Sequence, residues 1–415
     1  AAVALALVIA HLVAFDIAGH QRLGVSFNSA PGEAPYYSDP DARELMAPPR
    51  QPHHWSRLIV SRWDAQHYIG FAIRGMYACK KGMHGYALVH CGVAWMPTLG
   101  LLARPIADTT GAPADYVVLA LALIAALILN VLWTSKTIVK RFGLLEAYGA
   151  LLAFNMFCSA FYIVTPYNEP IVVACTLGAY ICLANRWWFR SAALIGAATA
   201  FRPTAIGFVI GFGLAALIAA WDARKAGEKR WWWPLASCAI AGWGQLVMMT
   251  VFWVDIGDAK AYLHAQLEFG NKDPGFHFHR FFEPTFWFNS ISTQHMDGIT
   301  VIGGITLVAL AWRSLAKKLP RPELVFIAVA SLLIALLPMS TVDGYWGWNR
   351  YFMLCPIIFF AAGEVLRSNR GMYILWAAIS LFMYWHVEMC SYIAHGNKQI
   401  CPCLGKNEWT MPYQS

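Results

Sequence analysis

The chain has 415 residues, of which 58% are hydrophobic and 13% charged, with a formal net charge of +8 and a mean hydropathy of +0.48. A soluble domain carries about a quarter charged residues, so half that share leaves too little polar surface to cover a water-soluble globule. Soluble enzymes, DNA-binding modules, disordered chains and disulfide-rich secreted domains are excluded, and the composition predicts an all-α polytopic membrane protein.

A membrane-crossing helix needs about 20 mostly apolar residues. In chain order the candidate runs are Ala1–Phe15, Tyr116–Trp133, Leu144–Thr165, Pro170–Leu183, Ala192–Phe201 with Ala205–Trp221, Trp233–Val254, Ile299–Ala311, Glu323–Met339, Tyr351–Val365 and Met372–His386. They predict ten or eleven crossings in one integral membrane domain over residues 1–415. Leu88–Leu102, interrupted by Pro97, is expected to be re-entrant or interfacial. The chain opens on Ala1 without a basic leader. Its natural start is therefore expected upstream, and no cleavable signal peptide is read.

Short cytoplasmic loops carry excess Lys and Arg. The short connections hold Lys136, Lys140, Arg141, Arg186, Arg190, Arg224, Lys225, Lys229, Arg230, Arg313, Lys317, Lys318, Arg321, Arg367 and Arg370 against only Glu146, Asp222, Glu228, Glu323 and Glu364. The rest of the chain carries slightly more acids than cations, so the whole surplus lies on one side and reports topology. No nucleic-acid partner is expected. Alternating the loops places three segments outside: about 16–115, about 255–298 and a tail of about 394–415. The Ala192–Trp221 stretch has basic loops at both ends and must cross twice or dip and return, breaking at Arg202-Pro203.

Cys79, Cys91 and Cys401-Pro-Cys403 fall in outer segments, where disulfides form if the compartment oxidises. Cys158, Cys175, Cys182, Cys238 and Cys355 read as small apolar core residues. Ala-rich helices, short loops and the lack of any Asn-x-Ser/Thr sequon favour a bacterial inner membrane over an endoplasmic reticulum membrane.

Polar residues gather on the outer loops and outer helix ends rather than at mid-membrane. That is the geometry for joining a lipid-borne reactant to a polar acceptor. In Ser61-Arg-Trp-Asp-Ala-Gln-His-Tyr-Ile-Gly-Phe71, helical spacing places Asp64, His67, Tyr68 and Phe71 on one face. Such an aromatic-rich helix lies in the membrane interface; Asp64 is then either a solvated charge or a general base at the surface. Arg202 lies in an apolar region, where a charge is costly and marks function by default, unless it snorkels or pairs with an acid such as Glu169. Arg350 opens a helix, where a cation gains nothing from the dipole, so a phosphate or carboxylate partner is expected. His67 and His264 are candidates to hydrogen-bond a phosphate or sugar, or are interfacial histidines satisfied by water. Tyr167-Asn-Glu169 is a polar turn, structural or sugar-binding. Asp39-Pro-Asp41 reads as a turn capping a short helix rather than a divalent-metal pair. His53-His54 with His277-Phe-His279 lack zinc-site spacing. The Trp187-Trp188 and Trp231–Trp233 clusters beside basic loops read as interfacial belts.

Arg62-Trp-Asp-Ala-Gln-His-Tyr68, continued by Ile-Gly-Phe-Ala-Ile-Arg-Gly-Met-Tyr77, resembles the first-loop signature of the PIG-V-like mannosyltransferases. These belong to the GT-C glycosyltransferases and include the second GPI mannosyltransferase and its bacterial relatives. Ala94-Trp-Met-Pro-Thr-Leu-Gly-Leu-Leu102, Thr165-Pro-Tyr-Asn-Glu-Pro170, Ala200-Phe-Arg-Pro-Thr-Ala-Ile206, Gly257-Asp-Ala-Lys-Ala-Tyr-Leu-His-Ala-Gln266 and Gly347-Trp-Asn-Arg-Tyr-Phe352 are similar, in the same order, to later motifs of that family. Phe201 and Ala205 depart from the family's polar residue and Gly, and Lys260 sits where it varies.

The resemblance implies a GT-C fold with about 11 transmembrane helices and extracytoplasmic loop helices. It implies inverting transfer of a sugar, mannose first, from a polyprenyl- or dolichyl-phosphate carrier to a lipid- or glycan-linked acceptor on the extracytoplasmic face. No metal or other cofactor is expected. In this reading Asp64 is the base, because an acceptor hydroxyl must lose its proton. Arg202, Arg350 and His264 meet the donor phosphate, whose growing charge needs waiting donors. His67, Tyr68, Tyr167, Glu169, Gln266 and Tyr351 bind substrate. The rivals are a secondary transporter or lipid flippase, a non-catalytic membrane scaffold, and a GT-C enzyme using another sugar.

Overall fold

The computed structural model describes residues 1–23, 64–76, 79–85, 87–88, 91–268, 277–285, 295–340 and 348–389. Every regular element among them is helical. The Asp39/Asp41 and His53-His54 pairs and Cys401-Pro-Cys403 with the outer tail lie outside the described residues.

Among the described residues five helical stretches are long and apolar enough to cross a membrane: Ala2–Gly19, Ala114–Phe142, Pro203–Lys225, Trp233–Ile256 and Arg321–Pro338. Leu144–Met156 and Glu169–Ala184 are apolar but shorter. The chain is a helical, membrane-embedded protein.

In order the principal helices are α1 (Ala2–Leu23), α2 (Ala65–Arg74), α3 (Thr98–Thr110), α4 (Ala114–Trp133), α5 (Lys136–Phe142), α6 (Leu144–Met156), α7 (Glu169–Ala184), α8 (Trp188–Phe201) and α9 (Ile206–Lys225). They continue with α10 (Trp233–Ser237), α11 (Trp243–Ile256), α12 (Ala261–Glu268), α13 (His295–Lys318), α14 (Arg321–Met339), α15 (Trp348–Met353), α16 (Pro356–Ser368) and α17 (Arg370–Met383).

Lipid tails are as apolar as leucine, so helices in a membrane associate through close packing and small residues. The closest partners are α9 with α14, α7 with α8, α6 with α16 and α13 with α16. At the α6–α16 seam a Cβ on Gly363 would lie 2.2 Å from the Glu146 carbonyl oxygen, so only glycine lets these backbones approach. Aromatic rings fill the space beside it. Trp133 of α4 packs edge-on to Phe360 with centroids 5.2 Å apart, and Phe142 stacks on Phe360 at 4.4 Å.

The basic loops converge at one end of this bundle. Lys318 donates to Glu146 (3.2 Å), Glu364 (2.5 Å) and the Phe142 carbonyl (2.9 Å), and Arg367 pairs with Glu146 at 2.8 Å. Arg141 pairs with Glu323 at 2.6 Å, and the Tyr180 hydroxyl donates to the same carboxylate. Three of the five acids in the basic loops are therefore buried counter-ions that fasten helix ends together. Arg190 lies 5.0 Å from the Trp187 ring and Arg230 5.6 Å from Trp233, as an interfacial tryptophan belt predicts. Helix α7 carries the chain from Glu169 to this end, where the Ala184 carbonyl meets Arg141.

Leu88–Leu102 is interrupted at Pro97. A short helical turn, Val93–Trp95, ends where Met96 takes a positive φ of 46° before Pro97, and α3 starts at Thr98. Helix α2 packs one face into the protein. Ala65, Tyr68, Ile69, Phe71 and Ala72 are all buried, and α2 packs on α3 and α4. Gly100 permits this, because a Cβ there would come within 2.2 Å of the Tyr68 carbonyl oxygen. The break at Arg202-Pro203 stands as expected, with α8 ending at Phe201 and α9 beginning at Ile206.

Candidate functional site

The site is assembled at helix ends, and the assembly follows from backbone chemistry. Pro203 lacks an N–H and disfavours a helical conformation in the residue before it. Helix α8 therefore stops, and Arg202 is extended at φ −150°, ψ 117°. The last carbonyls of a helix need outside donors. The Ala200 carbonyl accepts the Thr98 hydroxyl from the start of α3, and the Phe201 carbonyl accepts Asn168 Nδ2 at 2.7 Å. Asn168 also reaches the Met96 carbonyl at 3.4 Å. These bonds draw three separate chain ends together and set Glu169 beside Arg202.

Glu169 opens α7, followed by Pro170. A carboxylate is favoured in the first turn of a helix and Pro is tolerated there. Its side chain is fully buried. The oxygen Oε1 accepts Arg202 Nη1, Arg350 Nε (3.0 Å) and Arg350 Nη2 (2.6 Å). The second oxygen, Oε2, has no hydrogen-bond partner among the described residues. The remaining nitrogen of Arg350, Nη1, donates to Asp64 Oδ2 at 2.6 Å.

Two carboxylates and two guanidiniums, drawn from positions 64, 169, 202 and 350, thus form one charge-neutral cluster. Its side chains grade from Glu169, fully buried, through Arg202 at 12% and Arg350 at 16% to Asp64, the most accessible at 22%. Burying such ions is tolerable because each is paired.

Tyrosines wall the cluster. The Arg350 guanidinium lies 4.7 Å from the Tyr162 ring and 4.8 Å from Tyr167, and that of Arg202 lies 4.5 Å from Tyr351. Tyr68 meets Tyr167 edge-on at 5.9 Å. Tyr262 on α12 is close enough to feel the charges of Asp64 and Arg202, and burial pushes its hydroxyl, like that of Tyr68, above the usual phenol range. Both tyrosines stay protonated donors.

His67 sits one step away, stacked on Trp95 with centroids 3.6 Å apart. Burial pushes its imidazole down to about 4, against the opposing pull of the Asp64 charge. Gln266 holds α12 against the Val93–Trp95 turn by donating to the Ala94 carbonyl at 2.5 Å.

Of the residues singled out from the sequence, Asp64, Tyr68, Tyr167, Glu169, Arg202, Arg350 and Tyr351 come together. His67 and Gln266 support them from behind. His264 is not brought in. It is exposed, bonds Asp258 at 2.7 Å, and lines a separate shallow pocket with His84, Leu88, Leu267 and Glu268. Arg202 pairs with Glu169, the acid named as its alternative to a functional role. Arg350 finds a carboxylate partner, as its place in a helix first turn implied.

Tyr162 and Tyr262 were not singled out from the sequence, although Tyr262 lies within the Gly257–Gln266 motif and Tyr162 close before Tyr167. A buried polar chain was also missed. His11 bonds Tyr384 at 2.8 Å and Asn155 at 3.3 Å, and Asn155 donates to Asn130 at 2.7 Å. The expectation that polar residues avoid the bundle interior is corrected here, because single Asn and His residues inside long apolar runs give no periodic signal.

Among the described residues no group of three or more His, Cys, Asp or Glu is arranged to hold a metal ion. No protein-family profile, curated protein or solved structure matches this chain.

Proposed function

We propose that this protein is an inverting, GT-C-type glycosyltransferase that moves a sugar, mannose first, from a polyprenyl- or dolichyl-phosphate carrier to a lipid- or glycan-linked acceptor. The observation that carries the reading is the cluster itself. Two guanidiniums converge on the buried Glu169, and one of them, Arg350, reaches on to the more accessible carboxylate of Asp64, at the helix ends away from the basic loops. In this reading about 11 helices cross, counting the short apolar ones, and the cluster faces the extracytoplasmic side. A bacterial inner membrane is the setting.

In the proposed step the acceptor hydroxyl gives its proton to the Asp64 carboxylate. Its oxygen forms the new bond to sugar C1, the C1–oxygen bond to phosphate breaks, and that electron pair leaves on the lipid phosphate. Arg350 and Arg202 supply the positive charge such a leaving group needs. The tyrosine wall donates hydroxyls to substrate oxygens. The chemistry draws on guanidinium charge and takes neither a nucleotide sugar nor a metal.

The test uses purified protein in detergent, radiolabelled polyprenyl-phosphate-mannose and a membrane-lipid extract as acceptor. Wild type should form labelled glycolipid, with or without EDTA, and Asp64→Asn should lose transfer by at least about a hundredfold. Transfer that survives in Asp64→Asn removes Asp64 as the base. A second reading, a secondary transporter or lipid flippase, is favoured by the buried His11–Asn155–Asn130 chain, since polar groups inside a bundle mark transport paths. Carrier-lipid translocation by reconstituted vesicles without any transfer would select it.

A further inference from the structure

Arg350 uses all three of its nitrogens, and it uses them on two different carboxylates. Nε and Nη2 close on Glu169 Oε1 at 3.0 and 2.6 Å, while Nη1 reaches Asp64 Oδ2 at 2.6 Å. The fork geometry of a guanidinium makes this possible, and a lysine could not repeat it. Glu169 is fully buried and sits at the end of the cluster away from the accessible Asp64. It also takes Arg202 on the same oxygen.

Resting on the transfer reading above, we infer that Glu169 is a positioning residue that anchors Arg350 between the base and the departing lipid phosphate, so that one guanidinium couples proton capture to leaving-group departure. Before reaction the two acids and two arginines cancel. When the acceptor hydroxyl passes its proton to Asp64, that carboxylate loses its charge and Arg350 loses half of its compensation. The cluster then carries one net positive charge at the moment the phosphate oxygen takes the electron pair of the broken C1–oxygen bond. The anchor at Glu169 keeps the guanidinium in place through the change. A phosphate is thus welcomed when it becomes a leaving group and not before, the condition for selective transition-state stabilisation.

The groups that face Asp64 are Arg350 by direct contact, and His67, Tyr68 and Tyr262 by their charge interaction with it, with Glu169 and Arg202 completing the shell around Tyr68. Glu169→Gln leaves Arg350 held by Asp64 alone, and Arg350→Met leaves Asp64 without its direct counter-ion.

The experiment measures kcat and donor KM for wild type, Glu169→Gln, Arg350→Met and Arg350→Lys, with folding followed by size exclusion. Glu169→Gln should lose about a hundredfold in kcat with donor KM nearly unchanged. Arg350→Met, which removes the guanidinium altogether, should lose at least as much. Arg350→Lys, which keeps the charge but cannot span both carboxylates, should also lose kcat with donor KM nearly unchanged. Wild type that transfers while Glu169→Gln keeps its kcat overturns the inference alone. So does Arg350→Lys with wild-type kcat, a result readable even if Glu169→Gln does not fold. Wild type that transfers nothing overturns the enzyme reading and the coupling with it.

Discussion

Glu169 shows how much one buried side chain decides here. It offers a single oxygen to two arginines, so Glu169→Ala strands Arg202 and leaves Arg350 held by Asp64 alone. Breaking a buried ion pair by removing one partner costs about 3–5 kcal/mol, and a fall of that order should appear as a large drop in unfolding temperature in detergent. Asp64→Asn removes the most accessible member and leaves Arg350 its bonds to Glu169, so its stability should stay close to wild type. His67 supplies a pH dependence. Its folded-state value, about 4, lies below the unfolded value of 6.5, so the unfolded chain binds the extra proton. Stability from this residue is complete above pH 6.5 and falls as pH drops from 6.5 toward 4. His67→Phe keeps a ring against Trp95 and should flatten that slope in melts recorded across this range; an unchanged slope places its origin elsewhere.

At the scale of elements, the fold depends on polar side chains that finish helices and on glycines that let them touch. Asn155 joins α6 to α1 through His11 and to α4 through Asn130. Asn155→Leu takes away the partner of two buried atoms, His11 Nε2 and Asn130 Oδ1, at about 1–3 kcal/mol each, and should lower the unfolding temperature without changing donor KM. Gly363→Leu forces apart α6 and α16, whose backbones approach within a missing Cβ, and should yield little folded protein. The loop 79–91 is closed by a Cys79–Cys91 disulfide with Cα atoms 5.1 Å apart. Gly82 ties the loop to α11 through the Ile256 carbonyl at 3.1 Å. Closing a loop of this size stabilises by up to about 3 kcal/mol, so dithiothreitol or Cys79→Ser should lower thermal stability by a comparable amount.

For the whole molecule, sidedness is the organising feature. The basic loops meet buried acids at one end, and the Asp64–Arg350–Glu169–Arg202 cluster closes the other end of α7. Exposed Lys229 and Lys260 belong to these opposite ends. In sealed vesicles, Lys229→Cys and Lys260→Cys should react with an impermeant maleimide from opposite sides. Labelling of both from the same side contradicts the charge-derived topology.

The sequence by itself determined the solvent and the sidedness, because apolar run length and loop charge are local quantities that lipid and membrane potential read directly. It also marked Asp64, Glu169, Arg202 and Arg350, since a charge beside an apolar run is costly wherever the chain later goes. Tertiary structure alone decided which of these charges meet. Asp64 and Arg350 are separated by 286 positions, and no periodicity links them. Their pairing was fixed by a proline that ended α8, by carbonyls that then required Thr98 and Asn168, and by a glycine that let α2 sink against α3. The same packing buried one face of α2 and left His264 outside the cluster, because burial is settled by neighbouring helices rather than by a segment's own face.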